Sequence, residues 1–299
     1  MGKYYREYSD YLAERFDRKM QKLTVNAGFT CPNRDGTKGW GGCTYCNNQA
    51  FNPTFAERGD SITEQLTKAK AFFARKYPDM HYLAYFQAYT NTHSSSISRL
   101  MDMYHEALAV ENVDGLIIGT RPDCVSDELL EKLAELNTFP GRVVIEYGAE
   151  SSFDETLERI NRCHTWTETV EATQKTVAKG IDVGLHFILG LPGETEEMML
   201  ETVRRLSALP VSTVKFHQLQ VIRGTRLAKD VQQGLYDVKT FTVDEYIALC
   251  CKIVRCINPQ IAIERFTSQS PDELLISPRW GLKNYEFVHR LNKKLSEMI

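Results

Sequence analysis

The sequence predicts an α/β protein in which helices cover a parallel sheet. Short apolar segments typical of strands alternate with helices about six times along the 299 residues, which is the order expected of parallel strands joined by helical crossovers. No linker rich in Pro, Gly or Ser divides these repeats. Because the crossovers are right-handed, such repeats can curl into a full or partial barrel.

The first segments lead the chain into a loop rich in cysteine. Residues 4–18 combine several tyrosines with many charges, and we expect the rings to pack on the main body. Residues 22–27 alternate in polarity as a strand does. After the loop, Ser61 and Glu64 form a capping box that opens a helix through about Arg75.

The remaining elements repeat the pattern of strand and capped helix. The predicted strands are residues 81–88, 114–119, 142–147, 181–189, 213–221 and 261–266. The predicted helices are residues 97–110, a helix after Ser126, about 165–180, a helix after Thr195 and about 242–256. In parallel α/β folds, functional side chains stand on loops after the carboxyl ends of strands. The cysteine loop follows the first strand, so we expect it to carry chemistry.

Composition excludes several classes of protein. An apolar content of 42% and a charged content of 25% are normal for a globular protein, and the longest apolar runs are too short for a transmembrane helix. The start of the chain lacks the apolar core of a secretory signal. Eight cysteines therefore favour reduced thiols or metal ligands in the cytoplasm. The net charge of −3 gives no argument for broad nucleic-acid binding, although a local basic patch is compatible with it.

Three cysteines mark the loop after the first strand. Cys31, Cys43 and Cys46 have the spacing C-x₁₁-C-x₂-C, with four glycines and one proline between them. Glycine lets the backbone pass close to a bulky centre, and thiolates bind both zinc and iron–sulfur clusters. Structural zinc takes four ligands and a fully ligated four-iron cluster takes four cysteines. Three thiolates therefore leave one metal position open, where a small molecule can bind and react.

A zinc site is the alternative interpretation of the same loop. It would need a distant fourth ligand, which Cys124, Cys163, His81 or His93 could supply. Under this interpretation the chain would be a zinc-stabilised binding module and not an enzyme. The loop sequence by itself leaves both alternatives open.

The cysteine loop and the strand–helix repeats together resemble the radical S-adenosylmethionine (SAM) enzymes. Tyr45, the aromatic residue before the last cysteine, is a further family feature. The resemblance covers residues 20–265 and is greatest to the YhcC/YtqA-type branch, a relative of the Elongator catalytic subunit and of oxygen-independent coproporphyrinogen oxidases. Branch-level likeness lies in residues 85–93 and in the tail. The commonest family spacing is C-x₃-C-x₂-C, and the longer first interval found here also occurs in this branch.

The resemblance implies a partial (βα)₆ TIM-like barrel of the radical SAM type with a C-terminal extension. We expect a lead-in at residues 1–20, the barrel at residues 21–266 and the extension at residues 267–299, where it would cover the barrel mouth.

The resemblance also implies the cofactors. Cys31, Cys43 and Cys46 would hold three irons of a [4Fe–4S] cluster, and SAM would bind the open iron through its amino and carboxylate groups. One electron, from a donor such as flavodoxin or ferredoxin, would cleave SAM to a 5′-deoxyadenosyl radical that removes a hydrogen atom from the substrate.

Residues after the second and fourth strands are implied to contact SAM. The Gly-Gly-Glu-like motif that binds the SAM amine in the family is absent, and Gln87 and Thr90 stand in its place. Glu150 and Ser151 offer acceptors for the ribose hydroxyls. The alternative for Glu150 is a solvated loop carboxylate.

The segment Ile188-Leu-Gly190-Leu-Pro192-Gly-Glu-Thr resembles the adenine-side motif of the family. Its glycines permit the close approach of a ring, and Pro192 restricts the turn before the next helix. Ile188 and Gly190 are therefore the expected adenine contacts. The alternative is a purely structural turn between strand and helix.

Polar side chains on the sixth strand and in the tail are candidates for substrate binding and catalysis. Lys215 and His217 share one strand face because side chains alternate with a period of two, and we expect both to be catalytic. The alternative for His217 is a hydrogen-bonded core histidine. Arg265, Arg279 and Trp280 could meet an anionic or planar substrate.

The branch resemblance implies a substrate on tRNA. The expected reaction remodels the 5-substituent of the wobble uridine, from carboxymethylaminomethyl toward aminomethyl. A radical SAM enzyme acting on a porphyrin-like small molecule is the alternative, and a membrane is not an expected partner. An electropositive surface around the barrel mouth would favour RNA, whereas a closed apolar pocket would favour the small molecule.

Overall fold

A parallel sheet organises the molecule. The computed structural model describes residues 3–50, 59–74, 79–94, 96–236 and 238–298, so Arg75, the predicted end of the first long helix, lies outside the described residues. The strands are β1 (Met20–Val25), β2 (His81–Phe86), β3 (Val113–Thr120), β4 (Val143–Glu150), β5 (Asp182–Leu189), β6 (Thr213–Gln218), β7 (Val221–Ile222), β8 (Ala262–Arg265) and β9 (Leu275–Ser277). Seven of them form one parallel sheet in the order β1-β2-β3-β4-β5-β6-β8. The predicted α/β class is confirmed.

The sheet curls into a half-barrel. In a flat sheet, six steps of about 4.8 Å would separate the two edge strands by roughly 29 Å. Instead, Lys22 on edge strand β1 reaches Glu264 on edge strand β8, with 2.5 Å between Nζ and Oε2. The predicted partial TIM-like barrel is confirmed, and the last predicted strand segment supplies its final strand, β8.

Helices follow the strands and carry the predicted caps. In the described residues they are α1 (Tyr8–Ala13), α2 (Ile62–Ala74), α3 (Ile97–Leu108), α4 (Asp127–Leu136), α5 (Asp154–Arg159), α6 (Trp166–Ala178), α7 (Glu196–Ser207), α8 (Arg226–Gln232), α9 (Val243–Cys256) and α10 (Asn284–Ser296). Capping boxes form at Thr165 and Thr242, and the side chains of Ser126 and Thr195 accept from first-turn N–H groups. No helix of the described chain combines the length and apolarity needed to cross a bilayer.

Parts of the second half of the chain differ from the prediction. The segment predicted as one strand, residues 213–221, divides into β6 and β7, and β7 pairs antiparallel with β9 of the tail. Helices α5, α8 and α10 were not predicted. Since α5 has six residues and α8 has seven, neither is long enough to show a helical period in a sequence window.

The N-terminal lead-in packs against the amino ends of the strands. Glu7 forms a parallel bridge with Ile263 of β8. The Tyr11 hydroxyl donates to Asp182, the first residue of β5, across 2.8 Å, and Arg15 Nε donates to the same carboxylate across 2.6 Å. Tyr11 is buried, which confirms that rings of this segment pack on the main body.

Each strand divides its side chains between two environments, because successive residues point to opposite faces. On β4, Val143, Ile145 and Tyr147 belong to the apolar core that includes the helices. Glu146, between them, points into the barrel interior and meets Lys215 of β6. The interior-facing polar residues are Lys22, Tyr85, Glu146, His186, Lys215 and Glu264. The main apolar core therefore lies outside the sheet. Inside the sheet, a polar site lies beside a smaller apolar cluster that includes Phe16, Leu83, Ile117 and Val144.

Gly115 provides a test of the packing inside the sheet. A Cβ at this position would lie 2.5 Å from the carbonyl oxygen of Arg142. We expect Gly115→Ala to lower the free energy of unfolding by about 1–3 kcal/mol, because backbone must move to accept the methyl group. Urea denaturation followed by circular dichroism measures the change. Gly59→Ala is the matched control, since a Cβ there meets no atom within 4 Å, and equal stability of the two variants would contradict the prediction.

Candidate functional site

A cavity opens at the carboxyl ends of the parallel strands, where a parallel α/β fold places its functional groups. The cysteine loop forms one wall and the polar barrel interior forms the floor. The predicted site residues that line it are Cys31, Cys43, Cys46, Gln87, Thr90, Glu150, Ile188 and His217. Residues from separate loops thus meet in one space, as the sequence predicted for this edge of the sheet.

The cysteine loop is held in shape by its own backbone and by the rest of the barrel. The Arg34 N–H donates to the Cys31 carbonyl across 2.7 Å, and the Cys46 N–H donates to the Cys43 carbonyl across 3.0 Å. The Thr44 N–H donates to the Ile160 carbonyl, and the Thr44 carbonyl accepts from the Leu227 N–H. The three thiols are therefore presented from a fixed loop with little regular secondary structure.

Positive side chains surround the thiols. Arg162 Nη1 lies 3.6 Å from Cys43 Sγ, and Arg34 Nη2 donates to the Cys46 carbonyl across 2.9 Å. Burial and the neighbouring Cys43 raise the pKa of Cys46 to about 11, although Arg34 opposes the shift. A buried thiol of this kind becomes a thiolate only when a cationic centre replaces its proton, which is how thiol ligands bind metal.

Three thiols are a donor set that fits an iron–sulfur cluster with one open iron. In the part of the chain that the structure describes, no three His, Cys, Asp or Glu side chains are grouped to hold one metal ion. Thiolates that bind three different irons of a cluster need not converge on one point, whereas zinc ligands must. All three thiols nevertheless line the same cavity.

The distant ligands that a zinc site would need have other partners. His81 bonds to Asp114 and His93 bonds to Asp35, each across 2.8 Å. Cys163 Sγ donates to Asn33 Oδ1 across 3.2 Å. Cys124 Sγ lies 3.7 Å from Asp123 Oδ1, so each of the four candidates for a fourth zinc ligand has another partner.

Glu150 and Arg162 form a polar pair at the cavity wall. Glu150 ends β4 with a φ of 68°, and its Oε1 lies 3.4 Å from Arg162 Nη2. Arg162 Nη2 also donates to the Gly148 carbonyl across 2.6 Å. A Cβ on Gly148 would lie 2.6 Å from both charged groups, so glycine is required for this close approach. The sequence did not identify Arg162, which sits on an irregular loop with no pattern to mark it.

The other predicted SAM contacts divide into two groups. Gln87 and Thr90 line the cavity, and the Thr24 hydroxyl donates to Gln87 Oε1 across 3.2 Å. Ser151 and Gly190 are not among the lining residues. The Ser151 hydroxyl donates to Glu194, and Gly190 packs toward the Phe241 ring. Both support the loops that present Glu150 and Ile188.

Four charged side chains form a network on the barrel floor. Glu146 Oε2 accepts from Lys215 Nζ across 2.6 Å, and its Oε1 accepts from Lys22 Nζ across 2.9 Å. Glu264 contacts both lysines, and His186 Nε2 lies 3.0 Å from Glu146. Burial alone would raise the pKa of Glu146, but the two ammonium groups hold it well below its usual range. Glu146 is therefore an anion at neutral pH.

The two predicted catalytic residues occupy different positions. His217 lines the cavity, and burial and nearby Arg265 lower its pKa well below the ordinary value, so its ring is neutral. Lys215 is buried behind Glu146 and Tyr85, and its Nζ donates to the Tyr85 hydroxyl across 3.1 Å. Burial lowers the pKa of Lys215 to about 8. Lys215 therefore does not line the cavity and contacts two residues that do, Glu146 and Tyr85.

Sequence reasoning missed two partners of this network, Lys22 and Glu264. The period of two along β1 and β8 could have indicated them, since both alternate with apolar residues of the outer core. Only the curled sheet shows that they lie together, because they stand on opposite edge strands.

Comparison with known protein families gives a match over most of the chain. Residues 28–206 match the Radical SAM superfamily, and residues 211–297 match the Radical SAM C-terminal domain. Over 295 residues, 98% of this chain and 90% of the relative, the sequence is 36% identical to YtqA of Bacillus subtilis. It is 35% identical to YhcC of Escherichia coli over 286 residues, 96% of this chain and 90% of the relative.

More distant relatives cover smaller parts. The tRNA uridine(34) acetyltransferase of Methanocaldococcus jannaschii is 30% identical over 137 residues, 45% of this chain and 24% of the relative. Among solved structures, the archaeal Elp3 of Methanocaldococcus infernus superposes with a TM-score of 0.68 at 16% identity, over 93% of this chain and 63% of that chain. The structural likeness at this identity supports the fold.

The cysteine set gives the first prediction for the site. We expect wild-type protein reconstituted anaerobically with iron and sulfide to bind a cluster, and Cys43→Ala to lose nearly all bound iron and sulfide because one of three ligands is gone. The iron and sulfide content of each protein is measured by chemical analysis. Cys256→Ala, on α9 and outside the cavity lining, is the control and should keep the wild-type content. Undiminished iron in the Cys43 variant would refute the assignment.

Glu194 gives a prediction on pH. Burial raises its pKa to about 7, against the opposing effect of the Ser151 and Thr156 hydroxyls. Since the folded state favours the protonated carboxyl, its stabilising contribution is complete below the unfolded pKa, about 4.3, and is lost as pH rises through about 7. We expect the unfolding free energy of wild type minus that of Glu194→Gln to fall across this interval, as measured by urea titration at several pH values. Glu158→Gln, exposed on α5, is the control for the substitution itself. A wild-type minus Glu194→Gln difference that does not change with pH would contradict the prediction.

Proposed function

The chain belongs to the radical SAM superfamily, and we propose that it modifies the 5-substituent of the wobble uridine of tRNA. The proposed reaction converts a carboxymethylaminomethyl group to aminomethyl. The methylene beside the carboxylate would lose a hydrogen atom and one further electron to give an imine, with SAM as the overall two-electron oxidant. Water would then cleave the carbon–nitrogen bond and release the two-carbon unit as glyoxylate. One observation carries the proposal: the three thiols of the loop line the same cavity as the polar interior of the barrel. A substrate group that enters this cavity meets the cofactors and the interior side chains together.

The superfamily uses a [4Fe–4S] cluster and SAM, and the residues present fit both. Cys31, Cys43 and Cys46 would hold the cluster. When bound, the two cofactors supply a radical that can remove a hydrogen atom from carbon. The chain itself supplies position and the exclusion of water.

We assign the SAM contacts by their position around the cavity. Gln87 and Thr90 would bind the amino end, since they line the wall after β2. Glu150 would accept from the ribose hydroxyls, with Ser151 holding its loop through Glu194. Ile188 would contact the adenine, with Gly190 forming the turn behind it.

A relative supports tRNA as the substrate class. About 137 residues of this chain align with a protein described as a tRNA uridine(34) acetyltransferase, which acts on the nucleoside that we propose. The cavity offers partners to a polar substituent, since its lining includes Gln87, His217, Gln220 and Arg265. A porphyrin-like substrate is the alternative, since most of the exposed lining of the cavity is apolar.

We propose that His217 contacts the substituent. A neutral imidazole has one ring nitrogen free to accept, and its low pKa keeps the His217 ring neutral. It would accept a hydrogen bond from the substituent amine and orient the methylene beside it. Lys215 would be a positioning residue, because it reaches the cavity only through Glu146 and Tyr85.

The remaining assignments rest on the family and on the tail. We propose flavodoxin or ferredoxin as the electron donor and the cytoplasm as the location, where thiol ligands stay reduced. Residues 267–299 would cover the barrel mouth. The position of Ser268 supports this, since it lines the cavity and its N–H donates to Gln218 across 2.8 Å.

The substrate is tested by nucleoside mass spectrometry. Reconstituted protein, SAM and a strong reductant are incubated with tRNA that carries carboxymethylaminomethyluridine at the wobble position. The expected result is its conversion toward aminomethyluridine together with 5′-deoxyadenosine. If 5′-deoxyadenosine forms while all nucleosides stay unchanged, the radical chemistry stands and tRNA is removed as the substrate.

His217 gives a prediction within the same assay. His217→Ala should lower kcat/KM for the modified tRNA by at least about tenfold, the size expected for one lost hydrogen bond to a charged group. The ratio of 5′-deoxyadenosine to modified nucleoside should rise, because SAM is still cleaved while the substrate is misplaced. His105→Ala, exposed on α3, is the matched control. An unchanged ratio in the His217 variant would exclude its contact with the substituent.

A further inference from the structure

Arg265 is an unusual arginine on the cavity wall. It ends β8 and lies half-buried beside the opening. Its Nε is buried and has no hydrogen-bond partner, and within the described ranges its guanidinium makes no ion pair. A buried polar group without a partner is costly, by about 1–3 kcal/mol and more when charged. A site of this kind indicates a ligand that supplies the missing acceptor.

The acids of the barrel floor do not neutralise Arg265. Glu146 and Glu264 are the nearby carboxylates, and both are engaged by Lys22 and Lys215. Two negative charges face two positive charges, so Arg265 is the positive charge that remains. His217, its neighbour on the wall, is neutral and adds no compensation.

The other arginines at the cavity each have an acceptor, although Arg121 Nη1 and Arg162 Nε are, like Arg265 Nε, buried without a hydrogen-bond partner. Arg162 contacts Glu150 and Cys43, and Arg121 forms a two-point bond with Asp123 at 2.9 Å for each contact. Arg34 donates to the Cys46 carbonyl. These three arginines stabilise the protein and the cysteine loop, whereas Arg265 is free to bind a ligand.

The tail residues that the sequence grouped with Arg265 have structural partners. Arg279 Nη2 donates to the carbonyls of Asp272 and Leu275, across 3.1 Å and 2.5 Å. Trp280 Nε1 donates to the Phe241 carbonyl, and its ring stacks on Phe287. Of these three residues, only Arg265 presents an unused donor group to the cavity.

We infer that Arg265 binds the carboxylate of the substrate substituent. The inference rests on the proposed function, in which the substituent ends in a carboxymethyl group. A guanidinium matches a carboxylate through two parallel hydrogen bonds. A phosphate of the RNA backbone has the same donor requirement, but Arg265 stands on a strand inside the barrel, next to His217 and Tyr85. A substituent can reach this depth more readily than the backbone.

The arrangement also gives His217 and Arg265 separate tasks. His217 would accept from the amine in the middle of the substituent, and Arg265 would donate to the carboxylate at its end. Two contacts along one flexible arm would hold the intervening methylene in a single place. Substrates that lack the carboxylate would leave the Arg265 charge unpaired and would bind less well.

The test compares two RNA stem-loops, one carrying carboxymethylaminomethyluridine and the other its methyl ester. Binding to the protein reconstituted with cluster and SAM is measured by fluorescence anisotropy, and conversion by nucleoside mass spectrometry. Wild type should bind the carboxylate form about 10- to 100-fold more tightly, as expected for a charged hydrogen-bonded pair. Arg265→Gln should abolish this preference, and Arg265→Lys should keep part of it, since it keeps the charge without the two-point geometry.

Arg279→Gln is the matched control and should keep the wild-type preference, because its guanidinium binds tail carbonyls. Thermal melting shows that each variant folds. If Arg265→Gln converts the carboxylate stem-loop with wild-type KM, the inference is wrong and the proposed function stands. If it weakens both stem-loops equally and flattens the salt dependence, Arg265 contacts a phosphate and the carboxylate assignment is wrong. If wild type neither binds nor converts either stem-loop, both proposals are wrong.

Discussion

The carboxylate of Glu146 is the interaction on which the interior of this molecule depends. It lies on the central strand β4 and accepts from Lys22 of β1, Lys215 of β6 and His186 of β5. Both lysines also form ion pairs with Glu264 of β8, so the network joins the two edge strands of the sheet. Breaking a buried network of this kind leaves an uncompensated charge, which is strongly destabilising. The half-barrel therefore holds a charged network in its interior, beside a small apolar cluster around Leu83 and Ile117, while its main apolar core lies outside, beneath the helices.

This division explains why the site lies where it does. Side chains of the barrel interior, such as Tyr85 and His217, line the bottom of the cavity. The cysteine loop lines its wall at the carboxyl ends of the strands. Arg162 links the two parts, since it contacts Cys43 of the loop and Glu150 at the end of β4. A substitution of Glu150 at the end of β4 would therefore alter the position of Arg162 and, through it, the charge near Cys43. The proposed cluster and the proposed SAM pocket share one electrostatic environment.

Positive charge at the cavity is compensated in different ways. Arg34, Arg121 and Arg162 have partners within the protein, and the floor lysines are matched by carboxylates. Arg265 stands apart because the fold places it beside acids that are already engaged. That placement makes an anionic substrate group a natural complement to Arg265.

The sequence by itself determined the fold class and the helix caps, because these depend on local period and capping chemistry. Each is encoded within a few residues of the chain. Spacing and the family resemblance predicted eight of the residues that line the cavity, the three loop cysteines among them. The tertiary structure decided which polar groups meet. Lys22 and Glu264 are more than two hundred residues apart and pair only because the sheet curls, Arg162 reaches Cys43 from an irregular loop, and Lys215 proves to lie behind the cavity wall. Long-range electrostatic pairing depends on distances in space, and no local pattern in a sequence records them.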